Sequence, residues 1–211
     1  MARGKFITFE GGEGCGKSTQ VRRLKAALEQ TGLEVVLTRE PGGTWLAEKI
    51  RCLIKDQTTE VPCDRSELLL FLAARAQLVS SVIRPALAAG KWVISDRFSD
   101  STLAYQGYGR GLPLGILREM NAFACEGLKP DLTLLMNVSP RVAEMRLRTR
   151  EAATNTSADR IEKAGDEFHA RLRTGFAELA KAEPARIVTI DANGSPDEVW
   201  ERVWNSTKRL R

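Results

Sequence analysis

Residues Gly11 to Thr19 read GGEGCGKST and follow the apolar run Phe6-Ile7-Thr8-Phe9 directly. The spacing is G-x-x-x-x-G-K-[ST], placed with a strand pattern before it and a helix pattern after it. Gly11, Gly12, Gly14 and Gly16 let backbone N–H groups turn inward around phosphate oxygens. The helix that follows adds the positive end of its dipole. Lys17 supplies a mobile cation, and the Ser18 hydroxyl is placed to ligate Mg²⁺ beside Thr19. Cys15 reads as a small residue chosen to fit the turn. A chance glycine-rich turn would lack the flanking strand and helix, so the segment points to binding of a nucleoside triphosphate.

Two further segments carry chemistry. In Trp92-Val93-Ile94-Ser95-Asp96-Arg97 an apolar strand ends in a carboxylate. Alone this is a common strand end; beside a phosphate loop, Asp96 is a candidate to organise Mg²⁺ or its waters. Arg97 then stands at the carboxyl edge of the sheet, where α/β proteins bind ligands and a guanidinium can fork onto a phosphate. Thr38-Arg39-Glu40-Pro41-Gly42-Gly43-Thr44 follows another strand run and reads as a loop lining the same crevice, with Arg39 and Pro41 as contact candidates. Glu13 sits inside the phosphate loop. A carboxylate among phosphates is unfavourable unless a cation offsets it, which argues for a function there.

The elements that must position these residues follow from periodicity. Strand-like runs at Lys5–Glu10, Glu34–Thr38, Lys91–Ser95, Leu132–Val138 and Arg186–Ile190 alternate with helical stretches. Each is short and apolar on both faces, as buried parallel strands are. Strand–helix alternation implies crossovers and an α/β fold with helices on both faces of a parallel sheet. Gly32 is a natural stop for the helix after the phosphate loop. Asp64-Arg65-Ser66-Glu67 is expected to open a long apolar helix as a capping box variant, and Pro85 to kink or break it before Gly90. Ser139-Pro140 and Ser195-Pro196 each place an N-cap before a proline at the first helical position. Val199, Trp200, Val203 and Trp204 form one apolar helix face. Glu151 to Ser157, small and polar, reads as a mobile loop. No linker divides the chain, so 1–211 is expected to be one domain.

Composition excludes other classes. No run reaches the ~18 apolar residues of a membrane span, and no apolar leader segment opens the chain, so a cytoplasmic protein without a membrane partner is expected. Four scattered cysteines and one histidine, His169, do not make a zinc site. The net charge of +5 is dispersed among acidic residues, which argues against a nucleic-acid track.

Taken together, EGGEGCGKST, TREPGGT, LLLFLAARAQL, SDRFSDSTLAYQGYGRG and DRIE, in this order, resemble the bacterial thymidylate kinases from the first strand to Ile190-Asp191-Ala192. The resemblance implies a P-loop NTPase fold, a three-layer α/β/α arrangement with a five-stranded parallel sheet and a short mobile lid near 148–160. It implies transfer of the γ-phosphoryl group of ATP to dTMP, giving dTDP and ADP in dTTP biosynthesis, with Mg²⁺ and a homodimer whose surface is expected on the long apolar helix. Phe71 reads as core from its apolar neighbours; the resemblance makes it a ring stacked on the pyrimidine, with Arg75, four residues on, hydrogen-bonding the base. It places Arg51 and Arg97 on the acceptor phosphate and Glu13 near the sugar 3′-OH. Ser101, Thr102, Tyr105 and Gln106 wall the thymidine pocket, with Thr102 and Gln106 on the base and Tyr105 crowding the sugar 2′ position.

The loop carries Gly14 where some kinases carry an arginine, so transition-state charge must be met from the lid, by Arg150 and Arg160. Arg146 would stack on the adenine opposite Ala192-Asn193. The polar lid segment departs from the family pattern in being longer than in many members. The acceptor oxygen is already nucleophilic, so no general base is required and catalysis is expected to be alignment and charge neutralisation by Lys17, Arg97 and the lid. Another nucleoside monophosphate kinase, a nucleotide-dependent switch or a nucleic-acid-stimulated ATPase are the competing readings; no N-K-x-D guanine motif supports the switch.

Overall fold

The computed structural model describes residues 3–55, 60–154 and 164–210. Five strands, β1 (Phe6–Glu10), β2 (Val35–Arg39), β3 (Trp92–Asp96), β4 (Leu132–Asn137) and β5 (Ile187–Asp191), form one sheet in the order β2-β3-β1-β4-β5. Every pairing is parallel, so every connection must cross over the sheet. The five strand expectations hold to within a residue at each end. The central β1 is buried along its whole length, whereas the edge strands β2 and β5 are half-exposed.

The helices are α1 (Lys17–Gln30), α2 (Trp45–Lys55), α3 (Asp64–Leu78), α4 (Arg84–Ala88), α5 (Ser99–Thr102), α6 (Leu114–Ala124), α7 (Pro140–Thr154), α8 (Asp166–Ala182) and α9 (Pro196–Thr207). Wider π-type turns, Val79–Ile83 and Leu103–Gly109, join α3 to α4 and extend α5. On one side of the sheet Ile7, Phe9, Ile94 and Leu134 pack against Val21, Leu24 and Leu28 of α1 and Val199 and Val203 of α9. Trp200 and Trp204 stack with ring centroids 5.4 Å apart at the margin of that core.

The opposite face is not uniformly apolar as expected. After Phe6, β1 turns Thr8 and Glu10 to this side; Thr8 and Thr133 exchange a hydrogen bond of 2.8 Å, and Arg186 grips the buried Asp100 through both carboxylate oxygens at 2.7 and 2.9 Å. This buried polar layer lies beneath the helix that starts at Ser99, and each of its members has a partner, the condition under which such groups are tolerated.

Several local expectations are corrected. The cap of α3 is Cys63, one residue before the expected box, with no side-chain bond to the free N–H groups. Glu67 turns inward instead of reaching back. Pro85 does not break its helix: the run from Asp64 to Ala88 is continuous, and the π-type turn just before Pro85 accommodates the missing N–H. This run is long and apolar enough to span a bilayer by length and composition, contrary to the sequence expectation. It is a core helix here, because it packs on α2, α6 and the sheet and carries a buried arginine paired with a loop carboxylate. The expected loop from Glu151 is helical through Thr154, since Ala152 and Ala153 favour continuing the helix; residues 155–157 and Arg160 lie outside the described residues. Gly32 ends α1 at φ 84°, and Ser195 caps α9 with the reciprocal Glu198 bond of a full capping box, as the sequence predicts.

Candidate active site

The carboxyl ends of β1, β2 and β3 open into one cleft of about 900 Å³ that runs from the phosphate loop to the inner face of α3 and the Ser99–Gly109 helix. At one end stands the loop. Gly16 takes φ 86° and α1 begins at Lys17, so the first N–H groups of the helix face the cleft without a side-chain cap. Lys17 Nζ donates to the carbonyls of Gly11 at 3.0 Å and Gly12 at 2.9 Å, and lies 3.4 Å from Cys15 Sγ. Those partners are carbonyls of its own loop, which an incoming phosphate can replace. Cys15 is buried in the α1–α9 core, the packing role expected of it.

Ser18 Oγ donates to Asp96 Oδ2 at 3.0 Å, joining the two expected metal-side residues, one at the start of α1 and the other at the end of β3. Both are oxygen donors, the chemistry a hard divalent cation requires. Gly14 has φ 70°, and a Cβ there would lie 2.5 Å from the Ala143 carbonyl oxygen. The backbone of α7 is seated against the loop, so no arginine fits at that position.

Arg97 forms the middle of the cleft. Its φ of 75° places it in the left-handed region, costly for a residue with a β-carbon, at the point where β3 turns into the helix beginning at Ser99. Its guanidinium donates to the Gly11 carbonyl at 2.9 Å, to Ser101 Oγ at 3.3 Å and to Glu13, and lies 4.9 Å from the centre of the Tyr105 ring. Burial pushes the Glu13 carboxyl up, but Arg97 and Lys17 outweigh it and hold the group down at about 2. The Tyr105 hydroxyl lies 3.5 Å from Glu13, and burial pushes its phenol well up, so it stays protonated.

At the far end Phe71, Thr102, Tyr105 and Gln106 wall the cleft, with Arg39, Pro41 and Arg51 on the loop side. Arg51 donates to the Pro41 carbonyl at 3.0 Å. Arg75 lines this end as well and is held by protein partners. It is 1% exposed and all five of its N–H donors are engaged: Nε and Nη2 with Glu40, Nη1 with Thr102 and Asn121, Nη2 also with the Phe98 carbonyl. In this arrangement it fixes the wall of the cleft.

On the helical side, Arg146 donates to the carbonyls of Ala192 at 3.0 Å and Gly194 at 2.9 Å, which lays its guanidinium against the turn after β5. Arg150 lines the cleft one turn further along α7, while Arg148 is exposed and paired with Glu144. Gly11, Gly12 and Ala192 contribute backbone carbonyls rather than cleft surface.

Three carboxylates escaped the sequence reading. Glu40 lies inside TREPGGT and is the acid that Arg75, surrounded by Leu and Ala, required. Glu67 is buried and accepts from Gln106. Glu10 is fully buried at the end of β1 and accepts from the Phe98 and Ser101 N–H groups and from Ser101 Oγ at 2.6 Å; burial and the neighbouring Asp100 push its carboxyl up. An acidic residue in an otherwise apolar strand was the available signal.

The thymidylate kinase family model matches residues 9–203 of this chain. A thymidylate kinase of Solidesulfovibrio magneticus is 51% identical over 207 residues, covering 97% of this chain and 99% of that protein. One of Deinococcus radiodurans is 46% identical over 204 residues, covering 97% and 96%. The crystal structure of thymidylate kinase from Ehrlichia chaffeensis superposes with a TM-score of 0.77 at 35% identity, covering 98% of this chain and 99% of that one.

Proposed function

The chain belongs to the thymidylate kinase family, an ATP-using kinase that phosphorylates dTMP to dTDP, and from that premise we propose how this cleft divides the work between donor and acceptor. The observation that carries the reading is the position of Arg97, bonded at once to the phosphate loop and to Glu13, midway along a single cleft. The donor triphosphate lies on the loop, against the N–H groups of Gly14 to Thr19 and the Lys17 ammonium, with its adenine beside Arg146 and the turn at Ala192. Ser18 and Asp96 would hold Mg²⁺, which would supply charge neutralisation and orientation of the phosphates.

The acceptor enters from the opposite end. Its pyrimidine packs on Phe71 and meets Thr102 and Gln106. Its sugar faces Tyr105 and Glu13, and its phosphate lies between Arg97 and Arg51. A phosphate monoester oxygen needs no base to attack, so the residues act by alignment and by meeting charge where it grows. Lys17 and Arg150 meet that charge from the donor side. Arg160, the other cation expected there, lies outside the described residues. The chain works as one P-loop domain in the cytoplasm, which its four free thiols support. A coupled assay with ATP and dTMP, dUMP, UMP or AMP tests the whole reading: dTMP is expected to be the preferred acceptor. DNA or RNA, and not dTMP, stimulating ATP turnover would overturn it.

Arg97→Ala is expected to raise the KM for dTMP about tenfold or more with a smaller change for ATP. Equal changes in both would remove Arg97 from the acceptor side.

The chain also works as a homodimer in this reading. Leu69 on α3 is 55% exposed, and Ile116 and Phe123, seven residues apart on one face of the neighbouring α6, are 54% and 88% exposed. A large ring that open to water is unusual unless another surface covers it. Sedimentation of the wild type is expected to give a dimer and Phe123→Asp a monomer; a monomeric wild type would rule this out.

A further inference from the structure

Gln106 has a side chain with a donor end and an acceptor end, and which end meets a ligand depends on what holds the other. Here the holder is Glu67, in the first turn of α3, 1% exposed and turned into the protein rather than back to its own helix start. Glu67 Oε1 lies 2.9 Å from Gln106 Nε2, and Arg110 Nη2 lies 3.3 Å from Glu67 Oε2. A carboxylate facing an arginine offers only acceptors, so only the NH₂ end of the amide can satisfy it. The amide oxygen is thereby left to the cleft, which Gln106 lines beside Thr102 and Tyr105.

We propose that Glu67 is a specificity-determining positioning residue: it holds Gln106 with its carbonyl toward the pocket, and so selects pyrimidines that carry a proton on N3. Thr102 completes the pattern. Its Oγ1 accepts from Arg75 Nη1 at 2.7 Å, which directs the hydroxyl proton away from the arginine. The pocket then presents a donor beside an acceptor. Thymine and uracil present O4 beside N3–H and match both. Cytosine presents an amino group beside a bare N3 and mismatches both, leaving buried polar groups unpaired. The inference rests on the acceptor reading of this pocket given above.

The test compares kcat/KM for dTMP with that for 5-methyl-dCMP, which shares the methyl group and sugar and differs only at N3 and the 4-substituent. The wild type is expected to favour dTMP by about ten-thousandfold, the scale on which a site built to hydrogen-bond its substrate rejects an analogue that cannot make the bond. In Glu67→Gln the new amide can pair with either end of Gln106, so that preference is expected to fall about tenfold or more, mostly through acceptor KM, with the KM for ATP unchanged. If that variant does not fold, Glu67→Gln/Arg110→Gln removes both charges together and carries the same expectation. A residue that merely supported the fold would lower both acceptors alike. An unmoved ratio with a wild type that turns over dTMP therefore overturns the role of Glu67 alone. A wild type indifferent to dTMP would sink the acceptor reading and this inference with it.

Discussion

Lys17→Ala is expected to lower kcat about a hundred- to a thousandfold, with the thermal unfolding midpoint nearly unchanged. The rate follows from position. Lys17 stands at the first residue of α1, and its ammonium rests on two carbonyls of its own loop. It can exchange those for phosphate oxygens without moving the backbone. A preorganised cation at developing charge is worth about 3–4 kcal/mol in sites of this kind, which corresponds to a loss of about a hundred- to a thousandfold. The second cation on the Gly11 carbonyl, Arg97, keeps the loop anchored in the variant, so the fold should survive. Single-turnover transfer with saturating ATP and dTMP measures the effect; turnover within threefold of wild type would remove Lys17 from the chemistry.

The second large effect is on stability. Arg75→Ala is expected to destabilise the protein by about 3–5 kcal/mol, because it strands the buried Glu40 carboxylate without its counter-charge. The loss should depend on pH in a definite sense. Burial pushes the Glu40 carboxyl up and Arg75 opposes that push. Without Arg75 the folded-state pKa rises further above the unfolded one, so the folded variant holds a proton that the unfolded chain has released. Stability of the variant then falls, relative to wild type, as pH rises from the unfolded carboxylate range toward neutrality, and the deficit is smallest in acid. Denaturant unfolding at two pH values measures this. Arg75→Ala/Glu40→Gln should recover part of the loss at neutral pH, since no buried charge remains unpaired. A deficit that grows in acid would mean that Glu40 is not the group left behind.

Both predictions draw on residues whose legibility differed. Lys17 could be assigned from the chain alone because the phosphate loop is local: strand, glycines, lysine and helix start are contiguous, and their backbone conformations follow from residue type. The five strands were legible for the same reason, each being a short apolar run between turn signals. Arg75 was legible only as a question. An arginine among Leu and Ala must have a partner, but the partner, Glu40, lies 35 residues away on a loop. Glu67 and Gln106 are 39 residues apart, and Glu10 and Ser101 are 91. No period connects such positions; Glu40 and Glu67 look by themselves like ordinary surface acids, and the apolar strand around Glu10 flags that acid without naming its partner. The misplaced cap at Asp64 has the same origin: Glu67 had the right spacing for a capping box, and a tertiary partner claimed it. Pro85 misled because a helix can widen by one residue at a proline, an adjustment that residue types do not announce.

What the linear chain determined by itself was the phosphate-binding loop, the alternation that makes a parallel sheet, and the set of cations available to two anionic nucleotides. What the tertiary structure alone decided was how those cations are oriented: Arg97 toward the loop and Glu13, Arg75 saturated inside the wall, Glu67 behind Gln106. The physical reason is range. Backbone preferences and helix dipoles act over a few residues and are written in consecutive letters. The direction in which a buried polar group points is set by partners that only the crossovers of the sheet bring within 3 Å or so.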